Sequence, residues 1–265
     1  MVNNLLTLKR DLVEVGRRVY ARGYVASNDG NISARLDEKR IVITPTGISK
    51  GFMTPEDMAV VDLDGKVISG SKKPSSEVYM HLAVYKNRPD INSVCHAHPA
   101  YATGFAVAGI PLDKCILPEV VIVLGGIPLV EYGTPGTEDF FKPVLKILDK
   151  YDAFLLANHG ALTIGKDIYN AYYKMETLEH FAHIAFVAEQ LGHMTVLNKE
   201  QVQKLTDLRQ KFGIRTTVGC VSCEDDASTC AMPDPNPEPP AGGDDREALI
   251  RSITDAVMKK LQQAS

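Results

Sequence analysis

The sequence predicts an α/β protein in which helices cover both faces of a mixed, largely antiparallel sheet. Three observations carry that expectation. Stretches with apolar residues every three or four positions alternate with short apolar runs of strand character, an Asp64-Gly65 pair separates two such runs as a hairpin turn does, and 45% of the 265 residues are hydrophobic, enough to fill a core.

The opening NLLTLKRDLVEVGRRVYARG places Leu5, Leu8, Leu12, Val15 and Val19 on one stripe and reads as an amphipathic helix lying on the sheet. Strand-like runs follow at 32–35, 41–44 and 58–63, and Asp64-Gly65 turns the last of these into 66–69, so part of the sheet is antiparallel. Helices are expected at about 76–88, 99–108, 137–151, 168–192 and 198–212, with apolar strands near 92–97, 128–131 and 153–157.

Charge divides the chain into three parts. Residues 1–215 are nearly balanced at net +1, residues 216–245 carry seven acidic and no basic side chains, and residues 246–265 are net +2. The middle stretch, with five prolines between 233 and 240, has little to bury and reads as an extended acidic linker between a domain over 1–215 and a terminal helix over 246–265. A total of 29 basic against 33 acidic residues lacks the excess expected of a nucleic-acid-binding domain. No apolar run approaches a membrane span and the start lacks a signal-peptide stretch, so a cytoplasmic protein with no membrane partner is expected. Five scattered cysteines do not make a disulfide framework and read as thiols; Cys220, Cys223 and Cys230 are too few for a structural zinc site and receive no role.

The strongest chemical signal is Val94-Cys95-His96-Ala97-His98-Pro99, because side chains at i and i+2 of a strand share a face. His159 follows the strand 153–157 in Leu-Ala-Asn-His-Gly-Ala, so three imidazoles can converge at the ends of neighbouring strands as ligands for zinc or a related divalent metal. The alternative is an ordinary strand pair and a loop residue. His180 and His183, three apart on a long helix, read as surface or packing groups, and His81 and His193 as structural. A second constellation is a set of turns suited to an anion: Asn28-Asp29-Gly30-Asn31, Thr44-Pro45-Thr46-Gly47 and Pro74-Ser75-Ser76-Glu77, the last falling where a helix begins. Taken singly, each also reads as a plain turn or N-cap.

The stretches SNDGNISAR, ITPTGISKG, KPSSEVYMHLAVYKNRPD, VCHAHPAYAT, YGTPGTEDF and LLANHGALTIGKD, in this order, resemble the class II aldolase and adducin-like family over about residues 1–213, and most of all its fuculose-phosphate aldolase branch. The resemblance implies a three-layer α/β/α fold, one zinc ion and a fourfold homotetramer with sites between subunits. It implies that His96, His98 and His159 are metal ligands, that Glu77 is the fourth ligand of the empty site and then the catalytic base, and that Asn31, Thr46, Gly47, Ser75 and Ser76 hold a substrate phosphate. The implied reaction is metal-dependent aldol cleavage of a deoxyketose 1-phosphate, L-fuculose or L-rhamnulose 1-phosphate, to dihydroxyacetone phosphate and lactaldehyde.

One position departs from that branch: Glu119 stands where a tyrosine donates a proton to the aldehyde oxygen. A carboxylic acid serves the same role if apolar surroundings raise its pKa, and Pro118 and the four apolar residues after Glu119 motivate that expectation. A pentulose-phosphate 4-epimerase, a methylthioribulose-phosphate dehydratase and a non-enzymatic adducin-like protein are the rival readings. In the tail, Leu249, Ile250, Ile253, Val257 and Leu261 form one stripe of a helix. An amphipathic helix after a Pro-rich linker resembles the encapsulation peptides of bacterial microcompartment cargo, which implies a shell-protein partner and a location inside such a compartment.

Overall fold

The computed structural model describes residues 4–134 and 141–222. The expected linker beyond residue 222, Cys223, Cys230 and the tail helix 246–265 lie outside the described residues.

The N-terminal helix α1 (Leu5–Ala21) starts where the Asn4 side chain accepts from the backbone of Leu6 and Thr7, and it buries Leu12, Val15 and Val19. Eight strands follow: β1 (Asn31–Arg35), β2 (Arg40–Ile43), β3 (Ala59–Asp62), β4 (Val67–Ser69), β5 (Ser93–Ala97), β6 (Leu129–Val130), β7 (Ala153–Leu156) and β8 (Gly160–Gly165). They form one sheet in the order β4-β3-β2-β1-β5-β8-β7-β6, antiparallel at every pairing except β6 with β7.

Strand alternation splits the core in two. On β2, Val42 joins the cluster of α1, α3 (Ala100–Ala108) and α6 (Ile168–Gln190), represented by Leu12, Phe105 and Leu178. Its neighbours Ile41 and Ile43 turn to the other face, against Met80 and Val84 of α2 (Val78–Asn87) and Val144 of α5 (Lys142–Leu145). The result is the expected three-layer α/β/α sandwich.

Four expectations are corrected. Strand β8 has no counterpart in the sequence reading, because all six residues are buried and no polar alternation marks them. The helix expected over 137–151 is helical only at Lys142–Leu145. After it, Ile147 and Lys150 donate three residues back, the tight-turn pattern, and residues 135–140 lie outside the described set. A short helix, α4 (Pro118–Val123), begins at Pro118, where the missing N–H costs nothing. Finally, residues 216–222 do not begin the linker. After α7 (Lys199–Lys211), the buried Arg209 guanidinium donates to the carbonyls of Val121, Ile122 and Thr216. The backbones of Gly219 and Cys220 donate to Gly125.

That packing brings Cys220 to Cys115, and the two form a disulfide across a sequence separation of 105, in place of the expected free thiols. Among the described residues Cys95 is the free cysteine, and it is buried. Closing so long a loop restricts the unfolded chain, so the double substitution Cys115→Ser, Cys220→Ser is expected to lower stability by about 2–5 kcal/mol. Denaturant melts with and without reductant measure this, and equal midpoints would contradict it.

Candidate metal centre and anion cradle

Strand β5 lies between β1 and β8, with His96 opposite Asn31 on one side and Leu162 on the other. His96 is 1% exposed, and His98 follows just past the strand end on the same face. His159 arrives from the β7–β8 turn, where Asn158 adopts a left-handed φ of 56°. The strand carrying it is thus not the neighbour of β5; β8 intervenes, and its first residue makes the convergence possible. A Cβ on Gly160 would stand 2.6 Å from the Ala97 carbonyl and 2.6 Å from His98 Cδ2. Gly160→Ala is therefore expected to displace His98 and to weaken whatever divalent-metal affinity the cluster has by about 10–100-fold, measured with a competing chromophoric chelator.

The Nε2 atoms of His98 and His159 lie 3.1 and 2.9 Å from Nε2 of His96. His96 Nδ1 is 2.9 Å from the Ala161 carbonyl, which can only accept, so the proton sits on Nδ1 and the Nε2 lone pair points into the cluster. His98 Nδ1 faces Asp29 Oδ2 at 3.6 Å, which orients its Nε2 the same way. Burial lowers the pKa of His96, and burial together with the neighbouring His159 lowers that of His98, so both rings are neutral ligands. Lone pairs this close repel unless a cation stands among them. Glu77 completes the set, with Oε1 3.2 Å from His159 Nε2 and Oε2 3.4 Å from His96 Nε2. Three imidazoles and one carboxylate fit a divalent cation of the zinc class.

Glu77 precedes α2 as its N-cap residue but makes no side-chain cap. Its carboxylate instead accepts from Asn31 Nδ2 at 2.6 Å. Burial alone would raise this carboxyl, but a proton or cation held by the His96 and His159 imidazoles, together with the Asn31 amide, holds it well below the usual carboxylate range.

The bond to Glu77 dictates a chain behind it. With Asn31 Nδ2 donating forward, Oδ1 accepts from His81 Nε2 at 2.5 Å, and His81 Nδ1 accepts from the Ser33 hydroxyl at 2.6 Å. The Tyr85 hydroxyl, 2.8 Å away, then donates to Ser33. His81, expected as structural, thus holds Asn31 at the site. It is fully buried, and burial lowers its pKa to about 4 despite the opposing charge of Glu77. The folded state therefore refuses a proton that the unfolded chain takes below about pH 6.5. Stability from this group is present above that pH and is lost as pH falls toward 4, on the order of 3 kcal/mol in all. Unfolding free energies between pH 7 and 5, above most carboxylate titrations, are expected to fall; a flat profile would contradict this.

A cavity of about 220 Å³ gathers Asn28, Asp29, Gly30, Asn31, Pro45, Thr46, Ser75, Ser76, Glu77, His98 and His159. Two loops form its wall, zipped by Thr46 N donating to the Lys73 carbonyl and Ser75 N to the Thr44 carbonyl, both at 3.1 Å. Gly30 turns at a φ of 72°, and a Cβ there would meet Val25 and the His96 carbonyl. The first turn of α2 begins just behind Ser75 and Ser76, which directs its positive end at the cavity. Of the anticipated anion residues, Asn31, Thr46, Ser75 and Ser76 line the cavity. Gly47 does not; it turns the chain at a φ of 74° beside it. Glu119 is not brought there either. It stands exposed on α4, outside the apolar surroundings expected from its sequence neighbours. His183 stacks on Tyr101 at 3.9 Å, away from the imidazole cluster. Sequence reasoning missed Asp29 and His81 as supports of the site, since their partners come from elements 46 or more residues distant.

A three-layer α/β/α sandwich with three clustered imidazoles and a carboxylate, two of those imidazoles lining a cavity with loop hydroxyls, is an arrangement that could hold a metal ion. The family follows from the sequence itself. The chain belongs to the class II aldolase and adducin family, whose profile, described as the Class II Aldolase and Adducin N-terminal domain, matches residues 10–186. It is 40% identical over 181 residues, 68% of this chain and 97% of the relative, to an L-fuculose phosphate aldolase of Methanococcus maripaludis. It is 33% identical over 210 residues, 78% of this chain and 95% of the relative, to a 3-oxo-tetronate 4-phosphate decarboxylase of Haemophilus influenzae. A solved L-fuculose 1-phosphate aldolase superposes with a TM-score of 0.72 at 32% identity, covering 78% of this chain and 96% of that one.

Proposed function

We propose that this protein is a zinc-dependent lyase that breaks the bond between C3 and C4 of a phosphorylated ketose, one carbon removed from its C2 carbonyl, and releases dihydroxyacetone phosphate, with L-fuculose 1-phosphate as its substrate and L-rhamnulose 1-phosphate as the next to test. The observation carrying the reading is that His98, His159, Glu77, Ser75, Ser76 and Thr46 face one cavity of about 220 Å³, one to two groups wider than a phosphate.

His96, His98, His159 and Glu77 would hold the cation. When bound, it would supply Lewis acidity to the negative charge that bond breaking beside a ketone develops. The remaining chemistry belongs to the chain. The serine and threonine hydroxyls and the α2 end orient the phosphate, which places the ketose carbonyl toward the imidazoles. Glu77, ionised and fixed by Asn31, is placed to exchange a proton at C3 of the departing three-carbon fragment.

The second reading is loss of carbon dioxide from 3-oxo-tetronate 4-phosphate, which leaves the same three-carbon fragment. Its support is the exposed Glu119: decarboxylation needs no group to handle a proton at an aldehyde oxygen, and the Glu119 side chain does not line the cavity in the protomer. The test is release of dihydroxyacetone phosphate from each of the three substrates by purified protein, with and without chelator. Chelator-sensitive release from a ketose 1-phosphate supports the aldolase. Release only from the oxo-acid, with carbon dioxide, selects the decarboxylase. Release from none removes both, and the epimerase and dehydratase readings would then be assayed. The complete ligand set argues against an adducin-like protein without activity.

We also infer, from the sequence, that the chain forms a homotetramer and that residues 246–265 dock on a microcompartment shell protein through their apolar stripe. Deleting 246–265 is expected to leave turnover unchanged and to abolish co-purification with shell proteins; persisting co-purification would refute it. Mass photometry tests the tetramer.

A further inference from the structure

The wall of the cavity contains no lysine or arginine among the described residues, yet it contains the carboxylates of Asp29 and Glu77. A phosphate monoester, a dianion near neutral pH, needs positive potential from behind that wall. One buried cation stands there. Lys50 is 1% exposed, in a short 3-10 turn (Lys50–Phe52) after the Thr46-Gly47 loop. Its ammonium donates to the Asn28 carbonyl at 3.0 Å and the Ile48 carbonyl at 2.9 Å. Asn28 belongs to the turn that lines the cavity and Ile48 to the loop of Thr46, so one side chain grips both walls from the back.

The setting is built for this residue. Gly16 of α1 lies so close that a Cβ on it would stand 2.8 Å from the Lys50 carbonyl, and Met53 closes the other side. Burying an ammonium is costly, and among the described residues no carboxylate lies within ion-pair distance of it to offset that cost. Burial lowers its pKa to about 8, with Asp29 opposing, so the group is charged near neutrality. A structural staple between two carbonyls needs no charge; a phosphate dianion facing the carboxylates of Asp29 and Glu77 gains from one in addition to the α2 end and the metal site.

Resting on the reading that the cavity takes a phosphate, we propose that Lys50 is its positioning cation, which holds the Asn28 and Thr46 loops together and supplies the positive charge that binds a phosphate monoester. It does not touch the substrate; it acts through the two loops and through its field, which the low-dielectric interior screens weakly.

The test is calorimetric titration of the full-length, zinc-loaded protein with inorganic phosphate. Lys50→Met, which keeps the length and removes the charge, is expected to weaken phosphate binding about tenfold at unchanged zinc content, and Lys50→Arg to retain most of the affinity. The exposed Lys66→Met serves as control. Phosphate binding by Lys50→Met within about twofold of wild type would overturn the inference. Absence of binding by the wild type would instead remove the phosphate reading beneath it. Where Lys50→Met does not fold, wild-type protein with isotope-labelled lysine decides: the Lys50 resonance, assigned with Lys50→Arg, is expected to shift saturably with phosphate, and a stationary resonance while phosphate binds would overturn it.

Discussion

Replacing Glu77 by glutamine is expected to lower kcat for the ketose 1-phosphate by about 10²–10⁴-fold, with little change in KM or in zinc content. Glutamine preserves the size of the side chain and leaves the imidazoles of His96, His98 and His159 in place, so the cation and the phosphate should still bind. What it removes is a group that can carry a proton between the two ends of the reaction. Glu77 is the carboxylate facing the imidazoles of His96 and His159, whereas Asp29, the other carboxylate of the cavity, is turned to His98 Nδ1, Glu119 lies exposed on α4 and His81 is occupied on both ring nitrogens by Ser33 and Asn31. Steady-state kinetics with metal analysis of the same preparation check this. A variant that keeps more than about a tenth of the wild-type kcat would show that the carboxylate is a ligand only.

Removing the divalent cation is expected to have the larger effect, a loss of at least about 10³-fold in turnover that zinc restores. The reason lies in the charge of the wall. Burial disfavours a charge on His96, and the cavity wall carries the side chains of Glu77 and Asp29, so without the cation a developing anion would face two carboxylates. Chelated protein should also melt at lower temperature, since a ligand held only by the folded state adds to its stability. His96→Ala should show the same activity loss with no recovery on adding zinc, because its Nε2 is the atom to which both other imidazoles approach. Full turnover by protein shown to be metal-free would overturn the metal-dependent reading.

Much of the site could be read from residue types at short range. His96 and His98 on one strand face, the Gly30 turn and the paired serines before a helix are local features, and each has a local physical cause: side-chain alternation, positive φ, free helix-end donors. Features formed across the sheet were not readable in this way. Strand β8 is buried on both faces and has no alternation to betray it, although its first residue, Gly160, makes room for His98. The disulfide joins cysteines 105 positions apart, and only the packing of residues 216–222 under α4 brings them together. The same holds for Glu119, whose apolar sequence neighbours gave no warning that the side chain itself would face solvent.

By itself, then, the sequence determined the layers, the pairing of His96 with His98 and the turns around Gly30, Thr46 and Ser75, because periodicity and turn chemistry act over a few residues, while the place of Glu77 beside the imidazoles was implied by the family resemblance. Only the tertiary structure decided that Asn31 is held by His81, Ser33 and Tyr85, that Asp29 turns toward His98, and that Lys50 sits behind two loops. Those are contacts between elements distant in the chain. A buried polar group must find its partner wherever the fold supplies one, and that choice is made by packing rather than by any neighbouring residue.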